Sequence, residues 1–153
     1  MIARFSPFAF LLAALLSAPV AAADPVVDAP DGAVRGVQER DMRVFRGIPY
    51  AQPPVGERRW RAPAALPRWN GTRDATKFGA ACMQPKPRGP SIYAWDLPAM
   101  SEDCLSLNVW APQNAKGAPV FVWIHGGAYV FGSGSLDLYS GAPLAKRGAV
   151  VVT

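Results

Sequence analysis

The residues best suited to chemistry are a histidine and two glycines that follow a short apolar run. Val120–Ile124 is rich in β-branched and aromatic residues with almost no polar alternation, which predicts a strand buried on both faces. His125, Gly126 and Gly127 come directly after it. Glycines leave backbone N–H groups uncovered, and such donors stabilise the negative oxygen that develops during acyl transfer. A plain strand and turn, with glycines needed only for geometry, is the alternative.

Composition limits the classes of protein to which this chain can belong. Its 153 residues suggest one domain or part of one, and half of them are hydrophobic, so a sizeable core is available. The formal net charge is +5, but only 18% of the residues are charged and no dense Lys/Arg run occurs. We therefore expect a mildly basic globular surface and no nucleic-acid partner.

Residues 1–23 have the pattern of a secretory signal peptide. Arg4 gives a positive start, and Phe8–Leu16 is an apolar run too short to span a bilayer comfortably. Ala21–Ala23 supplies a cleavage site of the A-x-A type, so we expect cleavage before Asp24. The product would be secreted or periplasmic, without a membrane anchor. A buried N-terminal helix is the alternative.

The chain has two cysteines, Cys82 and Cys104, and both would remain after cleavage. An even pair in an exported protein predicts one disulfide, and two free buried thiols are the alternative. The bridge would close a loop of about 23 residues and stabilise the fold by roughly 3 kcal/mol. No CxxC motif or Cys/His cluster suggests a metal, and we expect no cofactor.

Alternating apolar residues predict an antiparallel hairpin early in the chain. Its strands would be Ala33–Val37 and Met42–Phe45, joined by a polar turn. The next stretch, Phe45–Gly56, contains three prolines and two glycines, so we expect an extended surface segment rather than a central strand.

After a loop-rich stretch over residues 61–100, three further strands and one short helix are expected. In chain order they are a strand over Leu105–Ala111, a hairpin turn over Gln113–Gly117, the central strand Ala118–Ile124, helical turns over Ala142–Arg147 and a buried strand over Ala149–Thr153. The last of these would have no following neighbour, which would leave Val150–Val152 as an unpaired apolar edge.

Three separate segments resemble, in order and spacing, three sequence blocks of the type-B carboxylesterases. They are Phe45–Gly56, Glu102–Val109 and His125–Tyr129. This family includes bacterial carboxylesterases, fungal lipases and cholinesterases, and the resemblance covers essentially all of Ala33–Thr153. It implies an α/β-hydrolase fold, in which an antiparallel β edge precedes a mostly parallel central sheet, with residues 24–153 as the N-terminal part.

The resemblance also implies a chemistry: hydrolysis of small-molecule esters by a Ser–His–Glu/Asp triad through an acyl-enzyme. The nucleophile of that family lies in a G-x-S-x-G elbow, which this chain lacks, and Gly132–Leu136 does not fit it. His125 is the only histidine and lies in the block that corresponds to the oxyanion loop. We therefore expect the triad to lie downstream, and residues 1–153 alone to be inactive.

In the family pattern, the backbone N–H groups of Gly127 and Ala128 would be two oxyanion donors. His125 would shape this loop through a side-chain hydrogen bond, and Gly126 would serve the turn, where close backbone approach excludes a side chain. Tyr129 is the last residue of this block, and we expect it to bind substrate.

Two further assignments follow from the resemblance. Trp95 would line the substrate gorge, although it lies one residue nearer Cys104 than the family's tryptophan, and simple packing on the protein body is the alternative. Arg59 would form a buried or half-buried ion pair with Glu102, and solvated arginines are the alternative. The family also places a disulfide at Cys104.

A catalytically inactive cholinesterase-like binding domain is the second functional hypothesis. The intact His-Gly-Gly-Ala sequence favours the enzyme, because an inactive domain has no need of uncovered donors. A G-x-S-x-G motif downstream would distinguish the two.

Overall fold

The computed structural model describes residues 23–85, 97 and 99–153 of the chain. Trp95 and all but the last residue of the predicted signal peptide lie outside these described residues. The described elements are the strands β1 Val26–Ala29, β2 Gly32–Arg35, β3 Val37–Glu39, β4 Met42–Pro49, β5 Thr72–Asp74, β6 Ala81–Cys82, β7 Met100–Ser101, β8 Ser106–Pro112, β9 Val120–Val122 and β10 Val150–Val152, the helix α1 Ala142–Ala145, and 3₁₀ turns at Gly56–Arg58 and Asp137–Tyr139.

The largest described sheet has five strands in the order β3, β4, β8, β10, β9. The pairs β3–β4, β4–β8 and β8–β10 are antiparallel. β10 and β9 are parallel, with Val151 opposite Phe121. An antiparallel edge thus leads into the beginning of a parallel sheet, as the resemblance implies.

The last two strands lie at positions that differ from the sequence prediction. β10 lies between β8 and β9, and its Val151 is buried, so the prediction that this strand is an unpaired edge is wrong. β9 is instead one of the two edge strands of this described sheet, with β3 at the other edge, and its three residues are exposed rather than buried on both faces. The hairpin turn predicted over Gln113–Gly117 does not join paired strands, because β10 occupies the place beside β8.

The segment after the first hairpin enters the sheet instead of staying on the surface. β4 continues through Phe45 to Pro49 and pairs with β8, with a register shift between Phe45 and Ile48. Gly47 lies in this bulge with φ +68°, and a Cβ there would stand 2.7 Å from the Lys77 carbonyl oxygen. A bulge lets a strand bend without losing its pairing, and Pro49 is harmless at the strand's end.

The second strand of the predicted hairpin forms the start of β4, but the first strand is misplaced. β4 pairs with β3, which shares only Val37 with the predicted Ala33–Val37, and most of that predicted strand lies in β2. β2 belongs to a separate three-stranded sheet with β1 and β5. Consecutive residues of β4 point to opposite faces, so Val44 and Phe45 enter different cores. One core contains Met42, Val44, Trp110 and Ala145, and the other contains Val34, Phe45 and Ala75. The single turn of α1 therefore covers one face, and the small sheet covers the other.

Candidate active site

The loop after β9, residues 125–132, is called the glycine loop below. The N–H of Trp123 donates to the Val152 carbonyl at 2.8 Å, which ties the start of this segment to the neighbouring strand. The Gly127 carbonyl then accepts from the N–H groups of Val130 at 2.9 Å and Phe131 at 3.2 Å. The glycine loop therefore contains a tight turn that closes on itself.

Both central residues of that turn have a left-handed backbone. Ala128 has φ 53° and Tyr129 has φ 60°. Positive φ at both central positions is the signature of a type I′ turn and is unusual for residues other than glycine, Asn or Asp. The side chain of Tyr129 is fully exposed. The residues of this turn were identified from the sequence, but its left-handed geometry was not.

Gly127 is the position in this turn where the structure shows that no side chain fits. It has φ 127°, and a Cβ on it would stand 1.7 Å from the Phe131 carbonyl oxygen. The sequence prediction placed such a close approach at Gly126. This overlap at Gly127 would be between the added Cβ and a backbone carbonyl, so no change of side-chain rotamer could relieve it.

The two N–H groups of interest are free of backbone acceptors. Among residues 23–85, 97 and 99–153, no carbonyl accepts a hydrogen bond from the N–H of Gly127 or Ala128. Unpaired backbone donors are uncommon inside proteins unless water or a ligand satisfies them.

His125 lies against its own loop. Its Nδ1 is 2.8 Å from the Gly126 carbonyl oxygen, a distance at which the Nδ1–H tautomer donates a hydrogen bond. Its ring stacks beside Tyr139, with centroids 6.3 Å apart. Both contacts orient the imidazole against the glycine loop and Tyr139.

A cleft of about 480 Å³ opens where β9 and β10 end. Ligands of α/β sheets bind at the carboxyl ends of the strands, which is where this cleft lies. Its lining includes Ile124, His125, Thr153 and the segment 132–135. Of the predicted site residues in the glycine loop, His125 reaches the cleft, whereas Gly127, Ala128 and Tyr129 are outside its lining. Trp95 lies outside the described residues.

Two residues that hold the site were not identified from the sequence. Asn108 is 4% exposed, and its Nδ2 donates to Thr153 Oγ1 at 3.2 Å and to the Gly134 carbonyl at 3.4 Å. Gln84 pairs with the backbone of Gly132. Asn108 could have been singled out from the sequence, because an amide side chain within an apolar strand is expected to be buried. A buried polar side chain must form hydrogen bonds. No local pattern marked Gln84.

The predicted disulfide is confirmed. Cys82 and Cys104 are bonded with an S–S distance of 2.01 Å and a Cα–Cα distance of 5.0 Å. The two cysteines also line the cleft. The bridge therefore ties the end of β6 to the segment that precedes β8.

The predicted ion-pair partners are in contact. Arg59 Nη2 lies 2.7 Å from Glu102 Oε1, and the side chains are 50% and 40% exposed. Arg59 is exposed and Glu102 is intermediate in burial, and the arginine also lies over the Trp60 ring at 5.6 Å. Water screens a pair of this exposure, which limits its contribution to stability.

Metal-binding clusters and membrane-spanning helices are both absent from the described residues. In the ranges 23–85 and 99–153, with residue 97, no group of three or more His, Cys, Asp or Glu could hold a metal ion. No helix in the described part of the chain is long and apolar enough to cross a membrane.

Comparison with known proteins gives consistent matches. The profile described as "Carboxylesterase family" matches residues 23–153. The para-nitrobenzyl esterase of Bacillus subtilis (strain 168) is 45% identical over 128 residues, covering 83% of this chain and 26% of that protein. The fumonisin B1 esterase of Sphingopyxis macrogoltabida is 46% identical over 125 residues, covering 80% of this chain and 22% of that protein.

A solved PNB esterase structure superposes with a TM-score of 0.79 at 43% identity, covering 86% of this chain and 27% of that one. The expected α/β-hydrolase fold is thereby confirmed over the matched part. The chain spans about a quarter of the length of the relatives it matches.

Proposed function

The chain belongs to the carboxylesterase family, and from this membership we propose that it forms the amino-terminal part of a serine-dependent carboxylic ester hydrolase. The relatives reported above are esterases, which supports hydrolysis of small-molecule esters as the reaction class. The nucleophile and the general base would come from residues beyond Thr153 in the longer polypeptide.

In the proposed reaction, a serine oxygen attacks the carbonyl carbon of the ester, and the carbonyl oxygen gains the negative charge. The N–H groups of Gly127 and Ala128 donate hydrogen bonds to that oxygen. A histidine takes the serine proton and gives it to the departing alcohol, which leaves an acyl-serine. Water activated by the same histidine then releases the carboxylic acid and restores the serine.

The observation that carries this proposal is the closed, left-handed turn in which the N–H groups of Gly127 and Ala128 donate to no carbonyl of the described residues. Fixed backbone N–H groups stabilise a developing oxyanion because they need no reorganisation when the charge forms. The glycine loop begins at the carboxyl end of β9, beside the cleft in which a ligand of this fold would bind. His125 and the adjacent strand β10 hold the base of that loop.

Three finer proposals accompany the main one. Trp95 lines the substrate gorge, where a tryptophan face can hold a cationic or apolar group of the ester. Tyr129 contributes to the substrate side of the loop. The protein is exported, secreted or periplasmic, after cleavage before Asp24, which agrees with the presence of a disulfide.

The test begins with the coding sequence downstream of Thr153 and with the full-length protein. We expect a G-x-S-x-G motif there, turnover of p-nitrophenyl acetate, and loss of that turnover after stoichiometric labelling of one serine by a fluorophosphonate. Residues 1–153 expressed alone should show no turnover above background. A full-length protein that neither carries the motif nor hydrolyses esters would instead be a binding domain, and the proposal would be wrong.

A further inference from the structure

Gln84 clasps the backbone of Gly132 through both ends of its side-chain amide. Its Nε2 donates to the Gly132 carbonyl at 2.9 Å, and its Oε1 accepts from the Gly132 N–H at 2.8 Å. Nε2 also donates to the Cys82 carbonyl at 3.1 Å. The side-chain amide of Gln84 therefore donates two hydrogen bonds to backbone carbonyls and accepts one from a backbone N–H. The residue is partly buried. A two-point clasp fixes the orientation of the Gly132 backbone as well as its distance.

Gly132 is the last residue of the glycine loop and packs against the first residues of the same loop. It is buried and has φ 115°. A Cβ on it would stand 2.6 Å from the Gly126 carbonyl oxygen and 2.7 Å from His125 Nδ1. These short distances place Gly132 against the residues immediately before Gly127, so a shift of Gly132 toward them would displace them.

The rest of the glycine loop is closed by its own backbone hydrogen bonds. The Gly127 carbonyl holds the N–H groups of Val130 and Phe131, so the turn has no slack of its own. The orientation of the glycine loop is set at the two points where it joins the rest of the protein. The upstream join is the strand pairing that ends with Trp123, and the downstream join is Gly132. Gln84 holds the downstream join.

The disulfide gives the clasp a fixed base. Gln84 is two residues from Cys82, and Cys82 is bonded to Cys104. The side chain thus reaches the glycine loop from a backbone that is covalently tied to the segment before β8.

We propose that Gln84 is a positioning residue for ester hydrolysis, which it serves by clasping Gly132 and so holding the N–H groups of Gly127 and Ala128 where the oxyanion forms. The inference rests on the function proposed above. A misplacement of about 1 Å can cost about 100-fold in rate even when the altered residue is remote from the reacting atoms.

The experiment compares two variants of the full-length enzyme with a matched control. Gln84→Ala removes the clasp, and Gln84→Glu keeps an acceptor for the Gly132 N–H but turns a negative oxygen toward the Gly132 carbonyl. Gln38→Ala is the control, because Gln38 in β3 also donates from Nε2 to a backbone carbonyl, that of Arg40 in the following turn. β3 is at the edge of the sheet opposite β9, from which the glycine loop continues.

We expect both Gln84 variants to lower kcat about 10- to 100-fold with KM changed less than about twofold, and the control to match the wild type. The affinity for a trifluoromethyl ketone, which forms an oxyanion with the nucleophilic serine, should fall in proportion to kcat/KM. A purely structural role would not produce this proportionality. Rates are measured well below the melting temperature and normalised to the folded fraction.

Wild-type kcat in both Gln84 variants would overturn the inference, as would a rate loss that the trifluoromethyl ketone affinity does not follow. Loss of folding in both variants would also overturn it, because Gln84 would then hold the fold rather than the donors. A wild-type enzyme with no ester turnover is a different result: it refutes the proposed function, and the inference about Gln84 with it.

Discussion

Asn108 Oδ1 accepts a 3.0 Å hydrogen bond from the backbone N–H of Gly47, which lies across the β4–β8 pair. Gly47 lies in the bulge of β4, where the ladder is interrupted and its N–H has lost the regular partner. The amide of Asn108 replaces that partner. Its other end reaches Thr153 and Gly134, so one buried side chain joins the antiparallel edge, β10 and the segment after the glycine loop.

Replacing Asn108 with alanine should destabilise the full-length protein. The change leaves the Gly47 N–H buried without an acceptor, and an unsatisfied buried group costs about 1–3 kcal/mol. We expect the free energy of unfolding from urea denaturation to fall by that amount. Asn114→Ala, in an exposed turn, should stay within about 0.5 kcal/mol of the wild type. Equal stabilities for the two variants would contradict the bulge-supporting role of Asn108.

Gly127→Ala should lower ester turnover, because the new Cβ would overlap the Phe131 carbonyl and force the turn to open. Loss of a single oxyanion donor costs about 10²–10³ in kcat, and we expect a reduction of that order. Ala128→Gly is the matched control: it keeps the N–H and suits a φ of 53°, so kcat should remain near the wild type. Near-wild-type turnover in Gly127→Ala would place the donors elsewhere.

Proline at position 128 is a poor probe of the same idea. It would remove the N–H, but its ring fixes φ at about −65°, whereas Ala128 has a positive φ. A loss of activity in that variant would not separate the donor from the distorted turn.

Glu102→Gln should have a small effect on stability. The bridge to Arg59 is 2.7 Å long, but both side chains are about half exposed, and pairs of this kind contribute at most about 1 kcal/mol. We expect a loss below about 1 kcal/mol that shrinks as salt is added. Glu57→Gln, at an exposed acid of the neighbouring 3₁₀ turn, is the control and should be neutral. A loss of about 3 kcal/mol or more would indicate a buried pair.

Trp95→Ala in the full-length enzyme should raise KM for bulky or cationic esters and leave small acetate esters unaffected. The reason is that an aromatic face attracts a cationic or apolar group, and a methyl group does not replace it. The measurement is a series of KM values for esters with alcohols of increasing size and charge. Unchanged KM values across the series would mean that Trp95 only packs on the protein body.

The sequence by itself determined the parts of this protein that depend on contiguous residues or on a unique pairing. It identified the strand that begins at Met42 and the position of the turn that follows β9, because apolar alternation and glycine act over a few residues. The disulfide followed because two cysteines allow only one pairing. The family resemblance added the contact between Arg59 and Glu102.

Only the tertiary structure decided which strands are neighbours and what holds the glycine loop. β9 and β10 have equally apolar sequences, so periodicity marks both as strands but does not say which lies inside the sheet. The bulge at Gly47 is tolerated because Asn108, 61 residues away, supplies its acceptor. Gln84 acts across 48 residues on Gly132. Such long-range hydrogen bonds leave no local pattern, because they arise only when packing brings distant backbone groups within reach of one amide.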